Sequence, residues 1–196
     1  MNLRPALAAL LLALPAFAGV AVGRKLPPAQ VADKGLLVPR TRVEGGRMVL
    51  EAKDIAYRPW TSAEGSGRIR TLYHLAARMG IDDLNKAYID ALIAAKLPEL
   101  LPDGAYKTIT ILNLAEANFV THGVGVSRFE KSQRETPYAL FVADEKGAAR
   151  AAWGLKPGTS AVIVLDRDDT VLFFKEGKLT PEEIAQAVAL IKARLN

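Results

Sequence analysis

The chain has 196 residues, of which 26 are Lys or Arg, 21 are Asp or Glu, 2 are His and none is Cys. Half of the residues are hydrophobic and 24% are charged, which is a globular composition and excludes a disordered or collagen-like chain. Because cysteine is absent, the chain has no thiol redox chemistry, no disulfide bond and no thiolate metal site.

The first eighteen residues have the features of a secretory signal peptide. Arg4 gives a positive start, residues 5–14 are uncharged and rich in Ala and Leu, and Ala16-Phe17-Ala18 matches a cleavage site. A membrane anchor is the alternative, but a membrane-spanning helix needs about 20 apolar residues and this run is shorter. The sequence predicts removal of residues 1–18, export to the periplasm, and no transmembrane segment in the one remaining domain, residues 19–196.

The chain carries a formal net charge of +5. Arg40, Arg42 and Arg47 are close in sequence, whereas acidic residues interrupt the basic ones almost everywhere else. An exported protein does not meet chromosomal DNA, so no nucleic-acid partner is expected. The charge fits an anionic envelope surface or an acidic partner, and a solvated basic surface is the simpler alternative.

Residues 26–60 predict an N-terminal β extension. Gly45-Gly46 separates two runs rich in β-formers, which is typical of a hairpin. Residues 53–67, which include Trp60, are expected to form a loop.

From residue 69 onward, predicted strands and helices alternate. The predicted strands cover residues 69–75, 108–114, 138–142, 160–165 and 171–174. The predicted helices cover residues 82–96, a segment ending near 134 that follows a loop at residues 122–125, then 148–155, and the C-terminal residues from 181. The strand at 108–114 is almost continuously apolar, as expected for a strand covered on both faces. This order indicates a three-layer α/β fold with a mixed sheet.

The C-terminal helix has the clearest signals. Thr180 is a predicted N-cap, Pro181 occupies the first helical position, and Glu183 completes a capping box. Ile184 and Ile191 belong to one apolar stripe, which is expected to pack on the sheet.

Several short motifs occur in an order that resembles a known family. They include Leu26-Pro27-Pro28, Asp33-Lys34-Gly35, Tyr57-Arg58-Pro59-Trp60, Gly67-Arg68-Ile69-Arg70, His74-Leu75-Ala76, Ala152-Trp153, Ser160-Ala161-Val162 and Leu179-Thr180-Pro181-Glu182-Glu183. Together they resemble the YtfJ-like family of exported thioredoxin-fold proteins that lack the CxxC motif. The resemblance implies a thioredoxin-like fold of the peroxiredoxin-like branch, three-layer α/β/α with a mixed central sheet and an N-terminal β-hairpin. It implies a fold and a location but no activity.

Two departures from redox-active thioredoxins bear on the chemistry. The positions that align with the two cysteines are Met79 and Asp82, and the position that aligns with the cis-proline is Ser160. A thioether does not titrate as a nucleophile, and a carboxylate cannot exchange a disulfide. Redox catalysis of the thioredoxin kind is therefore excluded, and no cofactor is indicated.

The candidate binding residues are expected at the edge where open α/β sheets bind ligands, beyond the carboxyl ends of the strands. They are His74, Arg78, Met79, Asp82, His122, Thr159 and Ser160. Neutral hydroxyls with one arginine suit an extended peptide or a small anion better than a metal. The sequence thus favours a non-redox binding or accessory protein of the cell envelope, with an envelope protein or an extended peptide as its partner.

Other interpretations remain open. His74 with Asp82 or Asp83 could act as an acid/base pair in a hydrolase-like enzyme, although a packed histidine above the sheet explains the same residue. A metal site formed by His74, His122 and Asp82 lacks any ligand spacing, and none is predicted. A structural or stress protein of the envelope would have no saturable ligand.

Overall fold

The computed structural model describes residues 19–97 and 104–195, and the predicted signal peptide lies outside these ranges. The strands are β1 (Gln30–Glu44), β2 (Arg47–Thr61), β3 (Ile69–Ala76), β4 (Tyr106–Asn113), β5 (Leu140–Asp144), β6 (Ser160–Leu165) and β7 (Val171–Glu176). The helices are α1 (Lys86–Ala94), α2 (Phe119–Glu135), α3 (Ala148–Trp153) and α4 (Pro181–Leu195), with a 3-10 turn at Leu114–Glu116. No helix in these ranges is long and apolar enough to cross a membrane.

The seven strands form one mixed sheet in the order β2-β1-β5-β4-β3-β6-β7. The central strands β3, β4 and β5 run parallel, while β6 pairs antiparallel with β3 and β1 pairs antiparallel with β5. Successive side chains of a strand point to opposite faces, so the sheet has a separate core on each side. The architecture confirms the predicted three-layer α/β/α fold.

Helices cover the two faces unequally. On one face α1, α2 and α4 contribute Tyr88, Phe129 and Ile191 to the core. On the other face the short helix α3 packs with the N-terminal segment, and Trp60 and Trp153 meet edge to face with ring centroids 6.5 Å apart. Three helices pack on one face of a seven-stranded sheet, and the spacing between them determines which part of that face is left uncovered.

The N-terminal hairpin is confirmed, and its second strand is longer than predicted. Gly45 and Gly46 turn the chain with φ of 55° and 74°, a conformation that favours glycine. The strand β2 continues to Thr61, so the loop expected over residues 53–67 is wrong in its first half. Trp60 is fully buried in this strand. Most of the other residues of β2 are partly or fully exposed, and their composition is similar to that of a loop, so the strand was not predicted.

Two helix starts differ from expectation. The chain makes successive turns after β3, with the Leu84 N–H donating to the Ile81 carbonyl, so α1 begins at Lys86 rather than at residue 82. The expected loop at 122–125 is also wrong, because α2 begins at Phe119 and includes those residues. A reciprocal capping box between Asn118 and Thr121 caps the start of this helix ahead of its two glycines.

The C-terminal helix forms as predicted. The Thr180 N–H donates to the Glu183 carboxylate at 2.9 Å, and the Glu183 N–H donates to the Thr180 hydroxyl at 3.3 Å. Ile191 is fully buried against the sheet.

Candidate functional site

A cavity of about 680 Å³ opens between α1 and α2 over the middle of the sheet. Its floor is formed by Tyr73 and Leu75 of β3, Thr110 and Leu112 of β4, and Phe141 of β5. A volume between about 300 and 1,000 Å³ is typical of sites for small molecules.

Among the described residues, no helix covers the middle of β4 on this face, although Gly125 of α2 approaches Leu112 near the carboxyl end of the strand. The helix α1 packs beside α4, whereas α2 packs over β1, β2 and β5. Thr108 and Thr110 therefore face the gap, and Thr110 is partly exposed at the centre of the sheet. The strand β4 is thus not fully covered on both faces, and this corrects the expectation from its apolar sequence.

The loop after β3 closes one end of the cavity. Arg78, Met79 and Asp82 all belong to its lining, so the structure brings three of the candidate residues together. The Met79 side chain is 91% exposed at the rim. Tyr73 lies below this loop, and burial raises the pKa of its phenol to about 12, so the hydroxyl stays protonated at neutral pH.

The segment that carries Thr159 and Ser160 runs alongside the same loop. The Ala76 N–H donates to the Thr159 carbonyl at 3.1 Å. The Ser160 hydroxyl is fully buried, and it accepts a hydrogen bond of 2.9 Å from the side-chain amide of Asn85. The same amide also donates to the Gly177 carbonyl, and its oxygen accepts from the Leu179 N–H. Ser160 is thereby a structural anchor beneath the loop and not part of the cavity wall.

Glu116 ties the strand ends together from the other side. Its carboxylate accepts hydrogen bonds from the Asn113 amide and the Gly158 N–H, and it lies 3.5 Å from the Arg78 guanidinium and 3.8 Å from that of Arg150. The Glu116 side chain thus occupies the space at the carboxyl ends of the strands where the sequence predicted an open crevice. The open space lies further along the sheet, over β4.

His74 faces the other side of the sheet from the cavity. Its neighbours Tyr73 and Leu75 line the cavity, so alternation along the strand directs the His74 ring toward α3. The ring is 1% exposed, and burial, with a smaller effect of the Arg150 charge, lowers its pKa to about 4. A neutral, buried imidazole on the opposite face does not meet Asp82 or Asp83, so the acid/base pair is not assembled.

His122 also lies apart from the other candidates. It sits in the first turns of α2, and its Nε2 lies 2.8 Å from a carboxylate oxygen of Glu145, which follows β5. Within residues 19–97 and 104–195, no group of three His, Asp or Glu side chains is placed to hold a metal ion.

Comparison with known proteins identifies the family. Residues 21–194 match the family described as "Bacterial protein of unknown function (YtfJ_HI0045)". The chain is 34% identical over 201 aligned positions to the uncharacterized protein YtfJ of Escherichia coli (strain K12), and the alignment covers 100% of both chains. The chain belongs to the YtfJ family. An uncharacterized protein of Haemophilus influenzae is 36% identical over 155 residues, which cover 79% of this chain and 82% of that one.

Solved structures support the fold of this YtfJ-family chain. The thioredoxin domain of a thiol-disulfide oxidoreductase from Bacteroides vulgatus superposes with a TM-score of 0.51 at 9% identity, covering 91% of this chain and 100% of the other. Mycobacterium tuberculosis AhpC gives a TM-score of 0.51 at 11% identity, with 91% and 99% covered. At such identities the likeness establishes the thioredoxin-like fold alone.

Sequence reasoning missed Thr110 in the cavity floor of this YtfJ-family chain, and it missed the two residues, Asn85 and Glu116, whose contacts support the segments beside the cavity. Thr110 lies in a mainly apolar strand, and Asn85 and Glu116 belong to no recognisable sequence motif. The one available signal was the pair of threonines at alternate positions of a central strand, Thr108 and Thr110, since alternation places both on one face.

Proposed function

We propose that this YtfJ-family protein is a non-redox binding or accessory protein of the cell envelope, and that its ligand occupies the cavity between α1 and α2. The observation that carries the proposal is an apolar cavity of about 680 Å³ over β4, bordered by the loop that holds Met79 and Asp82. Burial of apolar surface is the main source of binding free energy at such a site.

The absence of cysteine supports a binding role over a redox one. The loop between β3 and α1, which aligns with the redox motif of thioredoxins, contributes Arg78, Met79 and Asp82 to the cavity rim. Because this loop has no thiol nucleophile, the protein can bind a molecule in the cavity but cannot exchange disulfide bonds of that molecule. The placement of His74 on the opposite face removes the support for an acid/base enzyme.

Export to the envelope rests on the N-terminal sequence. Arg4, the uncharged run that follows it and Ala16-Phe17-Ala18 are the features of a signal peptide. N-terminal sequencing of the protein from the periplasmic fraction is expected to begin at Gly19 or within a few residues of it. Recovery of the full-length chain from the cytoplasm alone would contradict export.

Ligand occupancy is tested by native mass spectrometry of the protein isolated from its own host's envelope. Thr110→Phe places a larger side chain on the cavity floor, and Thr41→Phe makes the same replacement on the N-terminal hairpin, outside the cavity lining. We expect the wild-type protein and Thr41→Phe to carry a bound mass that Thr110→Phe lacks, with all three melting cooperatively. No bound mass in any of them, or an equal mass in all three, would contradict a ligand in this cavity.

A further inference from the structure

The backbone around the cavity offers few hydrogen bonds to a ligand. Between Ile109 and Asn113, the strand β4 is paired on both sides, with β3 and with β5. Two walls are the helices α1 and α2, whose backbone groups bond within the helix, and loop residues of the 76–83 and 136–139 segments close the ends. An extended peptide lying on this floor could not add a strand to the sheet, so most of its N–H and C=O groups would be buried without partners.

The side chains that surround the cavity are mainly aliphatic or aromatic. Leu75, Leu112 and Phe141 line the floor, and Ile93, which is 67% exposed, stands at the rim on α1. Val124 is exposed on the opposite wall. A methylene chain suits this surface because it gains burial free energy and brings no polar group that needs a partner.

One cation on the wall is free to pair with a ligand. Arg128 lines the cavity on α2 and is exposed. Within the described ranges it makes no ion pair, and Glu130 and Glu135 of the same helix pair with Arg134 and Lys131. Arg78 also lines the cavity, but its guanidinium already lies 3.5 Å from Glu116.

The acidic residues of the lining lie elsewhere. Asp82 and Asp83 belong to the loop at the carboxyl end of β3, and Glu135 lies on α2 about 10 Å along the axis from Arg128 and pairs with Lys131. An anionic head group is therefore favoured beside Arg128 and disfavoured beside the Asp82–Asp83 loop.

From these contacts we infer that the cavity binds an amphipathic molecule with a single acyl chain, whose anionic head group pairs with Arg128. This inference rests on the proposed function and names the chemical class of the ligand. The chain lies over β4 between α1 and α2, and the carboxylate or other anion remains at the mouth.

Calorimetric titration with saturated fatty acids of 8 to 16 carbons, below their aggregation concentrations, tests the acyl chain. The dissociation constant is expected to fall about fourfold for each added CH₂ until the cavity is filled, and then to level off. In Thr110→Phe binding is expected to be lost, while Thr41→Phe binds as the wild type does. Binding that is absent, or that does not depend on chain length, would overturn the inference.

The head group is tested with laurate and dodecylammonium. The wild-type protein is expected to prefer laurate, and Arg128→Glu is expected to weaken laurate binding about fivefold or more. Lys192→Glu makes a comparable charge change at an exposed position of α4, off the cavity lining, and is expected to change the affinity less than twofold. A preference for dodecylammonium, or equal effects of the two variants, would overturn the role of Arg128.

The two proposals fail in different ways. If fatty acids do not bind while the wild-type protein still carries an envelope-derived mass that Thr110→Phe lacks, the acyl class is wrong and the cavity remains a ligand site. If neither fatty acids nor an envelope-derived mass occupy the cavity, the proposed function itself is contradicted.

Discussion

The side-chain amide of Asn85 donates to the hydroxyl of Ser160 over 2.9 Å and so joins the start of α1 to the start of β6. Both residues are buried. Through its other bonds to Gly177 and Leu179, the same amide also fixes the segment that leads into α4. The amide thus connects three segments next to the loop that aligns with the redox motif, and these hydrogen bonds support the loop that borders the cavity.

Asn85→Ala is expected to lower the free energy of unfolding by about 1–3 kcal/mol, because it leaves the Ser160 hydroxyl, the Gly177 carbonyl and the Leu179 N–H without this partner. Urea unfolding measures the effect. Asp90→Ala removes an exposed side chain that pairs with Lys86 on the same helix, and it should cost no more than about 0.5 kcal/mol. Equal losses in the two variants would show that the Asn85 bonds do not support the fold.

Stability is expected to fall on acidification because of His74. Its pKa is about 4 in the folded protein and near 6.5 in an unfolded chain. Between these values the unfolded state binds the proton and the folded state does not, so the contribution is fully present above about pH 6.5 and is lost as the pH falls toward 4. The shift corresponds to a loss of about 3 kcal/mol across this window.

The measurement is the free energy of unfolding between pH 7 and 4.5 for the wild type, His74→Gln and His122→Gln. We expect the dependence on pH to be shallower in His74→Gln and retained in His122→Gln, which removes the protein's other, partly exposed histidine. Parallel curves for the wild type and His74→Gln would contradict a buried neutral imidazole.

Docking of the C-terminal helix is tested by one buried and one exposed position. Ile191→Ala is expected to cost about 2–5 kcal/mol, because Ile191 is fully buried against the sheet. Glu182→Ala in the first turn of the same helix should stay within about 0.5 kcal/mol. Thermal and urea unfolding measure both, and similar losses would mean that α4 does not pack on the sheet as described.

The helices and strands with local signals could be predicted from the sequence. Thr180 and Glu183, which are three residues apart in sequence, cap α4 through local hydrogen bonds. Gly45-Gly46 forms the hairpin turn through its own backbone conformation, which does not depend on distant residues. The loop predicted at residues 122–125 is wrong. The prediction relied on the two glycines in that segment, whereas the capping box formed by Asn118 and Thr121 just before them starts a helix.

The site itself depends on contacts between distant residues. Asn85 reaches Ser160, and Glu116 reaches Gly158, across the sheet edge. Predicting that His74 faces α3 while its neighbours face the cavity requires knowing which face of β3 each helix covers. The gap over Thr110 follows from the spacing between two helices, which no local pattern encodes.

A ligand that lies between α1 and α2 over β4 would contact the isoleucine side chains that α1 contributes to the cavity. The most direct measurement compares isoleucine methyl NMR spectra of the protein purified from its envelope with those of the same protein after unfolding, extraction and refolding. We expect shifts in the methyl signals of Ile89 and Ile93, which line the cavity, and an unchanged signal for Ile163, which is buried on the opposite face. Identical spectra, or shifts largest at Ile163, would contradict it.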